Sequence, residues 1–300
     1  MRAGLCAQLC RGQSRNRPAL QRNRSAGAAL AMTARRNPAL VAGGAIVAAL
    51  TAVALLGPVV DRTDPLAINL SLALAGPSPG HPLGCDSLGR DILARILAGA
   101  RVSLGVSIVV VALSLAIGAI VGGAAALAGG RIDGAIMRTV DIVLAFPGIL
   151  LAIALAAILG PGLLDLVIAL GAIGWTGYAR LVRGEVLSLR EREYVEAARA
   201  LGARPGRLLF RHLLPGVAGP LAVQATFGVG GLIIAEAALS FLGLGVPPPA
   251  PSWGNMLDTG RAFILVAPHL TTAPGVAIGL SVLGFNLLGD GLAQRFGRRR

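Results

Sequence analysis

Charged residues are scarce in this sequence, and their scarcity decides the broad class of the protein. Only 14% of the 300 residues are charged, whereas a typical soluble domain carries about 25%. Hydrophobic residues make up 55% of the chain, and the mean hydropathy is +0.74. These values argue against an ordinary soluble domain and predict a membrane protein.

Cysteine is also scarce, and no cofactor motif is present. The three cysteines, Cys6, Cys10 and Cys85, do not stand at a zinc-binding spacing with histidine and predict no disulfide framework. A metal site formed by Cys6 and Cys10 is the alternative. Motifs of P-loop, dinucleotide-binding and haem proteins are absent. We therefore predict that the chain is not an enzyme and binds no metal or cofactor of its own.

Six apolar runs are long enough to cross a membrane as helices, since a span needs roughly 20 residues. These runs are residues 38–60, 103–128, 136–159, 163–182, 217–243 and 272–291. They predict an all-α polytopic membrane protein with about six transmembrane helices. Residues 1–37 are rich in arginine and nearly free of acids, which predicts a disordered tail; a start at Met32 is the alternative to Met1. Residues 293–300 are a short basic tail.

The distribution of basic residues predicts the orientation in the membrane. Lysine is absent, so arginine supplies all 27 basic residues and the net charge of +13. With the N-terminus inside, 22 arginines lie on the cytoplasmic side and 5 outside, as the positive-inside rule requires. Both termini and the loop 184–216 are then cytoplasmic. The loops 61–102, 160–162 and 244–271 are external.

The cytoplasmic loop 184–216 contains the most charged stretch between two spans, "EYVEAARALGARPGRLLFRHLLPG". Its apolar positions predict one helix face, formed by Leu187, Tyr194, Ala198 and Leu201. Gly202 and Pro205 then predict a stop and a second helix. A basic helix-turn-helix invites a DNA-binding interpretation, but no linker separates it from the spans. For Glu196 the alternative is an intrahelical ion pair with Arg192 or Arg199.

The same stretch resembles the EAA loop of binding-protein-dependent ABC importer permeases. The matching positions are Glu196, Ala197, Ala198, Gly202, His212, Leu214 and Pro215. The segments 84–104, 235–257 and 285–292 resemble the peptide and nickel branch of that family, in its C-type subunits. Cys85 departs from the threonine that is usual there. The resemblance covers roughly residues 38–292.

The resemblance implies a type I ABC importer permease fold, with residues 103–292 as the permease domain, in a bacterial inner membrane. It implies a second, different permease subunit, two ATP-binding subunits that use ATP and Mg, and an external substrate-binding protein. The EAA loop would couple to the ATP-binding subunits. Membrane lipid is the remaining partner, and nucleic acid is not expected. Dipeptides, oligopeptides, nickel chelates and other small solutes all remain open as substrates.

Other residues have two interpretations each. Glu236 lines the pathway or a gate, or is a buried hydrogen-bonding group. Asp86, Arg90, Asp91 and Trp253 contact the binding protein or cap the pathway, or belong to a stiff connector with one buried tryptophan. A local pair with Arg138 is expected for Asp141.

Two other classes of transport protein remain as alternatives. The principal one is an ion-coupled secondary transporter, which would need an internal repeat and a coupling acid at the midplane. A channel subunit is the second.

Overall fold

The computed structural model describes residues 37–60 and 63–297, and this part of the chain is helical, without β-strands. The helices are α1 (Pro38–Val60), α2 (Ile92–Ala128), α3 (Gly130–Ala145), α4 (Gly148–Leu159), α5 (Leu163–Leu189), α6 (Glu193–Ala200), α7 (Pro205–Arg207), α8 (Leu214–Phe241), α9 (Trp253–Arg261) and α10 (His269–Gly297). A π-helical turn, Leu208–Leu213, joins α7 to α8. The predicted tail 1–37, with Cys6, Cys10 and the alternative start at Met32, lies essentially outside the described residues.

Five helical stretches are long and apolar enough to span a membrane. They are Pro38–Gly57 in α1, α2, α5, the continuous stretch Pro205–Phe241, and α10 up to Phe296. Helices α3 and α4 pass the same test only as a pair, with a bend of 86° between them. The all-α polytopic fold is therefore confirmed, with the third predicted span broken in two.

Proline causes the break between α3 and α4, so the prediction of one continuous span over 136–159 is wrong. Pro147 has no N–H to donate, and it disfavours helical geometry in the residue before it. Phe146 is accordingly extended, with φ −86° and ψ 140°. The tripeptide Phe146-Pro147-Gly148 was the signal in the sequence, and the apolar length of the run concealed it.

Several predicted boundaries also move. Helix α2 begins at Ile92, so the predicted external loop 61–102 ends at Asp91, whose carboxylate caps the helix by accepting from Ala94 N at 2.8 Å. Helix α5 continues to Leu189, which shortens the predicted cytoplasmic loop 184–216. Helix α10 continues to Gly297, through most of the predicted tail. The predicted spans were too short because the first or last turns of these helices contain polar residues, which fall outside an apolar run.

Small residues allow the long helices to pack closely. A Cβ atom at Gly122 would overlap the carbonyl of Ala179, and one at Gly118 would overlap Tyr178, so α2 and α5 touch backbone to backbone here. Helices α1 and α10 meet in the same way at Gly43 and Gly291. Glycine thus serves the close helix approach that is typical of membrane bundles.

Candidate functional site

Helix α6 sits on the end of the bundle with one buried anchor. Val195 is 0% exposed and joins the apolar core that also contains Val186, Leu208 and Leu213. Just before α6, the guanidinium of Arg190 donates to the carbonyl of Ala126 at the end of α2 (3.1 Å). The short helix is therefore fixed to α2, to α5 and to the stretch that continues into α8.

A Schellman turn ends α6. The N–H of Ala203 donates to the carbonyl of Ala198 (3.0 Å), and that of Gly202 donates to Arg199 (2.9 Å), which is the hydrogen-bond pattern of this motif. Gly202 has φ +82°, a conformation that glycine adopts without strain. Pro205 then occupies the first turn of α7. The predicted helix, tight turn and second helix are confirmed.

The outward surface of this segment is formed by α6 and the turn. Leu201 is 89% exposed, and Glu196, Ala197 and Gly202 are exposed beside it. The predicted apolar face is wrong, because Leu187 belongs to α5 and the chain turns at 190–192 before α6 begins, which makes Val195 the buried residue.

The other residues that match the EAA loop are less exposed or lie further along the chain. Ala198, on α6, is half-buried, as are His212 and Leu214, and Pro215 is exposed near the start of α8. The structure thus brings Glu196, Ala197 and Gly202 together at the outer surface, with Ala198 beneath them. It places His212, Leu214 and Pro215 in the connection to α8.

A cavity of about 480 Å³ lies beneath α6. Its lining includes Arg190, Glu191, Glu196 and Arg199, together with apolar atoms of Leu127. Among the described residues Glu196 forms no ion pair within 4.0 Å, so the alternative of an intrahelical pair with Arg192 or Arg199 is not found. The carboxylate of Glu196 is therefore open to a partner from outside the chain.

Glu236 lies inside the bundle, in the second half of α8. It is 0% exposed, and its Oε1 atom accepts a hydrogen bond from Ser240 Oγ at 2.8 Å. Its Oε2 atom has no partner in the described part of the chain. Two further serines are buried as well: Ser103 of α2 and Ser252, the N-cap residue of α9. Glu236 is thus a buried group with one hydrogen-bonded oxygen, and both interpretations of its role stay predictions.

Asp86, Arg90 and Asp91 organise the polypeptide before α2. Asp86 accepts from the backbone N–H of Arg90 (3.0 Å) and from its Nε (2.7 Å). Asp91 caps α2 and contacts His81 Nδ1 at 2.7 Å. All three side chains are buried, so they hold the polypeptide before α2 in place from within. Cys85, buried beside them, has a thiol pKa raised first by burial and then by the carboxylates of Asp91 and Asp86.

Trp253 fixes α9 to α2. It is 1% exposed, its Nε1 donates to the carbonyl of Ile96 (3.1 Å), and its backbone N–H donates to Ser103 Oγ (3.3 Å). Together with the buried acids before α2, this contact fits the interpretation of a stiff connector with one buried tryptophan.

Two ion pairs join α3 to α5. Asp141 pairs with Arg180 at 2.6 Å, so the expected local pair with Arg138 is wrong. Asp133 receives two bonds from Arg183, Nε at 2.5 Å and Nη2 at 2.6 Å. Sequence reasoning had no signal for either pair, because about 40 to 50 residues separate the partners. Within the described ranges, no group of three metal-ligating side chains occurs.

Comparison with protein families decides the class of the molecule. Residues 91–300 match the family described as "Binding-protein-dependent transport system inner membrane component". The chain belongs to this family. It is therefore a multi-pass membrane component of a transport system, in a family of permeases and not of ATPases.

Characterised relatives and a solved structure agree with this assignment. The chain is 45% identical to the dipeptide transport system permease protein DppC of Alkalihalophilus pseudofirmus, over 86% of this chain and 85% of that one. It is 49% and 48% identical to the glutathione transport system permease protein GsiD of Pectobacterium atrosepticum and of Escherichia coli O157:H7, over 72% of each chain.

The MetNI methionine ABC transporter, solved in inward-facing conformations, has the same fold. The TM-score is 0.54 at 21% identity, over 68% of this permease and 95% of that chain. The expected type I ABC importer permease fold is thus confirmed.

Proposed function

We propose that this permease works with a second, different permease subunit in an ATP-driven importer of the bacterial inner membrane. Its solute is a short peptide or a related small molecule, delivered by an external binding protein. The relatives named for dipeptide and glutathione transport support this solute class, because both of those solutes are short peptides.

The observation that carries the proposal is the way in which α6 is anchored to the bundle on one side and exposed on the other. The helix is fixed from below by Val195 and presents Leu201, Glu196 and Ala197 outward. It follows α5 after a short turn and continues through α7 into α8. An ATP-binding subunit that grips α6 would therefore move both spans as levers. The two ATP-binding subunits bind and hydrolyse ATP with Mg; this permease supplies the docking surface.

The excess of arginine supports a cytoplasmic position for α6 and for both termini. Arg204, Arg207 and Arg211 are exposed at the start of the helical stretch Pro205–Phe241, where lipid headgroups attract basic side chains. Three residues separate α5 from α6, which is too short a linker for a DNA-binding unit. Lipid is accordingly a partner, and nucleic acid is not.

The binding protein contacts the external layer, by which we mean the segments on the external side before α2 and around α9. Asp86, Arg90, Asp91 and Trp253 maintain the shape of this layer from inside. Exposed apolar side chains are available for contact at its surface, with Leu70 68% and Leu265 96% exposed.

Uptake by proteoliposomes that contain the complete importer tests the proposal. We expect peptide uptake to require the binding protein and ATP on the side of the ATP-binding subunits. Glu196→Lys and Gly202→Asp should abolish uptake while the permease still inserts, whereas Glu193→Lys, the same charge change elsewhere on α6, should leave it. Uptake driven by a proton gradient without ATP-binding subunits would establish an ion-coupled secondary transporter instead.

A further inference from the structure

Helix α3 has little apolar packing to hold it in place. Val140 is its only buried residue, whereas nine residues of α5 are buried. Ile132 and Ile142 on α3 are more than half exposed. In a membrane, helices are held together by van der Waals packing and polar contacts rather than by removal of apolar area from water, so with so little packing other interactions must hold α3 against its neighbours.

The backbone can change direction at both ends of α3. Gly129 and Gly130, at its start, have φ +63° and +54°, and nothing lies within 4 Å of a Cβ atom built on either of them. At its end, the extended Phe146 and Pro147 separate it from α4 by a bend of 86°. Helix α3 is thus a short rod between two places where the backbone can change direction.

The Asp133–Arg183 pair is the stronger of the two contacts that attach α3 to α5. The carboxylate receives two parallel bonds from the guanidinium, and the two side chains are only 13% and 32% exposed. The Asp141–Arg180 pair has one bond, and its side chains are 60% and 56% exposed. Bidentate, partly buried pairs are strong, whereas exposed pairs contribute little.

Arg183 is also close to α6, the helix that we propose as the docking surface. It lies about two helical turns before Arg190, which is bonded to Ala126, and α6 begins three residues later. A displacement of α6 would reach Arg183 along α5, because this part of α5 is continuous helix with Val182 and Val186 buried.

We propose that the Asp133–Arg183 pair is the clamp through which α5 carries α3 when the ATP-binding subunits move α6. The inference rests on the proposed function and deepens it. Asp133 and Arg183 are positioning residues, because they act through α3 and touch no solute.

Uptake per ATP hydrolysed, measured in the complete reconstituted importer, is the first test. Arg183→Gln or Asp133→Asn should lower this ratio by about tenfold, since a charge-assisted bidentate bond is lost, while ATP hydrolysis stimulated by the binding protein continues. The reversed pair, Asp133→Arg with Arg183→Asp, should restore most of the ratio. Arg180→Gln, the matched change in the exposed pair, should alter it by less than about twofold.

An assembled reversed pair that restores nothing, or an Arg180→Gln variant as defective as Arg183→Gln, would overturn the clamp. These outcomes differ from a failure of the proposed function, in which the unmodified permease would not engage ATP-binding subunits at all.

Distance measurement covers the case in which the substitutions prevent assembly. Spin labels at Ile132→Cys on α3 and Ser188→Cys on α5, both exposed positions, would be introduced with the three native cysteines replaced by alanine. The clamp predicts that the α3–α5 distance stays constant, within about 2 Å, between nucleotide-free and ATP-bound importer. A change of about one helical turn, roughly 5 Å, would show that α3 moves independently of α5.

Discussion

The guanidinium of Arg101 donates a hydrogen bond of 2.6 Å to the carbonyl oxygen of Ala54, and a second of 2.8 Å to that of Leu55, joining α2 to α1. Pro58 stands four residues after Ala54 and has no N–H, so this carbonyl lacks its donor within the helix. Arg101 supplies the missing donor. In a membrane no water replaces such a bond, which gives this arginine a structural role besides its charge.

Replacement of Arg101 by leucine should therefore weaken the attachment of α1. We expect a loss of about 1.5–3 kcal/mol, the usual contribution of hydrogen bonds to a charged group, seen as a lower midpoint of thermal unfolding in detergent. Arg138→Leu is the matched control, since Arg138 is also exposed but forms no ion pair with any described residue. Equal midpoints for the two variants would contradict the role of Arg101.

Close packing of α2 on α5 can be tested by adding one methyl group. Gly122→Ala should cost about 1–3 kcal/mol, as overpacked cores do, because the new Cβ atom would overlap the backbone of Ala179. Gly105→Ala, on the same helix, places its Cβ atom in open space and should be neutral or slightly stabilising. Fluorescence-detected size-exclusion chromatography after heating measures both. An unaffected Gly122→Ala variant would show that α2 and α5 are farther apart.

The turn after α6 makes a separate prediction. Gly202→Ala should cost about 1–2 kcal/mol, because only the left-handed backbone at this position opposes a side chain. Gly206→Ala, in the next helix, has open space and no such conformation, so it should be tolerated. Co-purification of the ATP-binding subunits with each permease variant is the measurement. Equal yields from the two variants would rule out a rigid turn as a requirement for docking.

The buried position of Glu236 distinguishes its two interpretations. Glu236→Gln keeps an oxygen that can accept from Ser240 and should support uptake within about threefold of the unmodified permease. Glu236→Leu leaves Ser240 without its partner and should lower stability by about 1–3 kcal/mol. Loss of uptake in an assembled, stable Glu236→Gln importer would instead indicate that the solute pathway needs the carboxylate charge.

The helical spans could be predicted because each is a local run of apolar residues. The run 38–60 coincides with α1, and the stop at Gly202 follows from local turn chemistry. Boundaries such as Ile92 and Leu189 were missed because the helices continue through polar turns. The buried face of α6 was missed because the periodic pattern starting at Leu187 assumed one helix, whereas the chain turns at 190–192.

The interactions between distant segments could not be predicted. Asp133 and Arg183 meet because α3 turns back across α5, and no local pattern reports that turn. The sequence left open whether Asp86, Arg90 and Asp91 contact a partner or belong to a stiff connector, and the structure shows all three buried, with Asp86 bonded to Arg90 and Asp91 bonded to His81 and the N–H of Ala94. A resemblance could place Glu196 and Gly202 at a functional surface, but only the structure shows that Val195 anchors that surface.

Site-specific photo-crosslinking in the complete importer tests the docking role of α6 most directly. A photoreactive amino acid at Leu201, which directly follows α6 and is 89% exposed, would be compared with one at Ile158, which is 81% exposed near the end of α4. We predict a covalent adduct with an ATP-binding subunit from position 201 and none from position 158. An adduct with that subunit from position 158, or its absence from position 201 in an importer that still transports, would contradict the account.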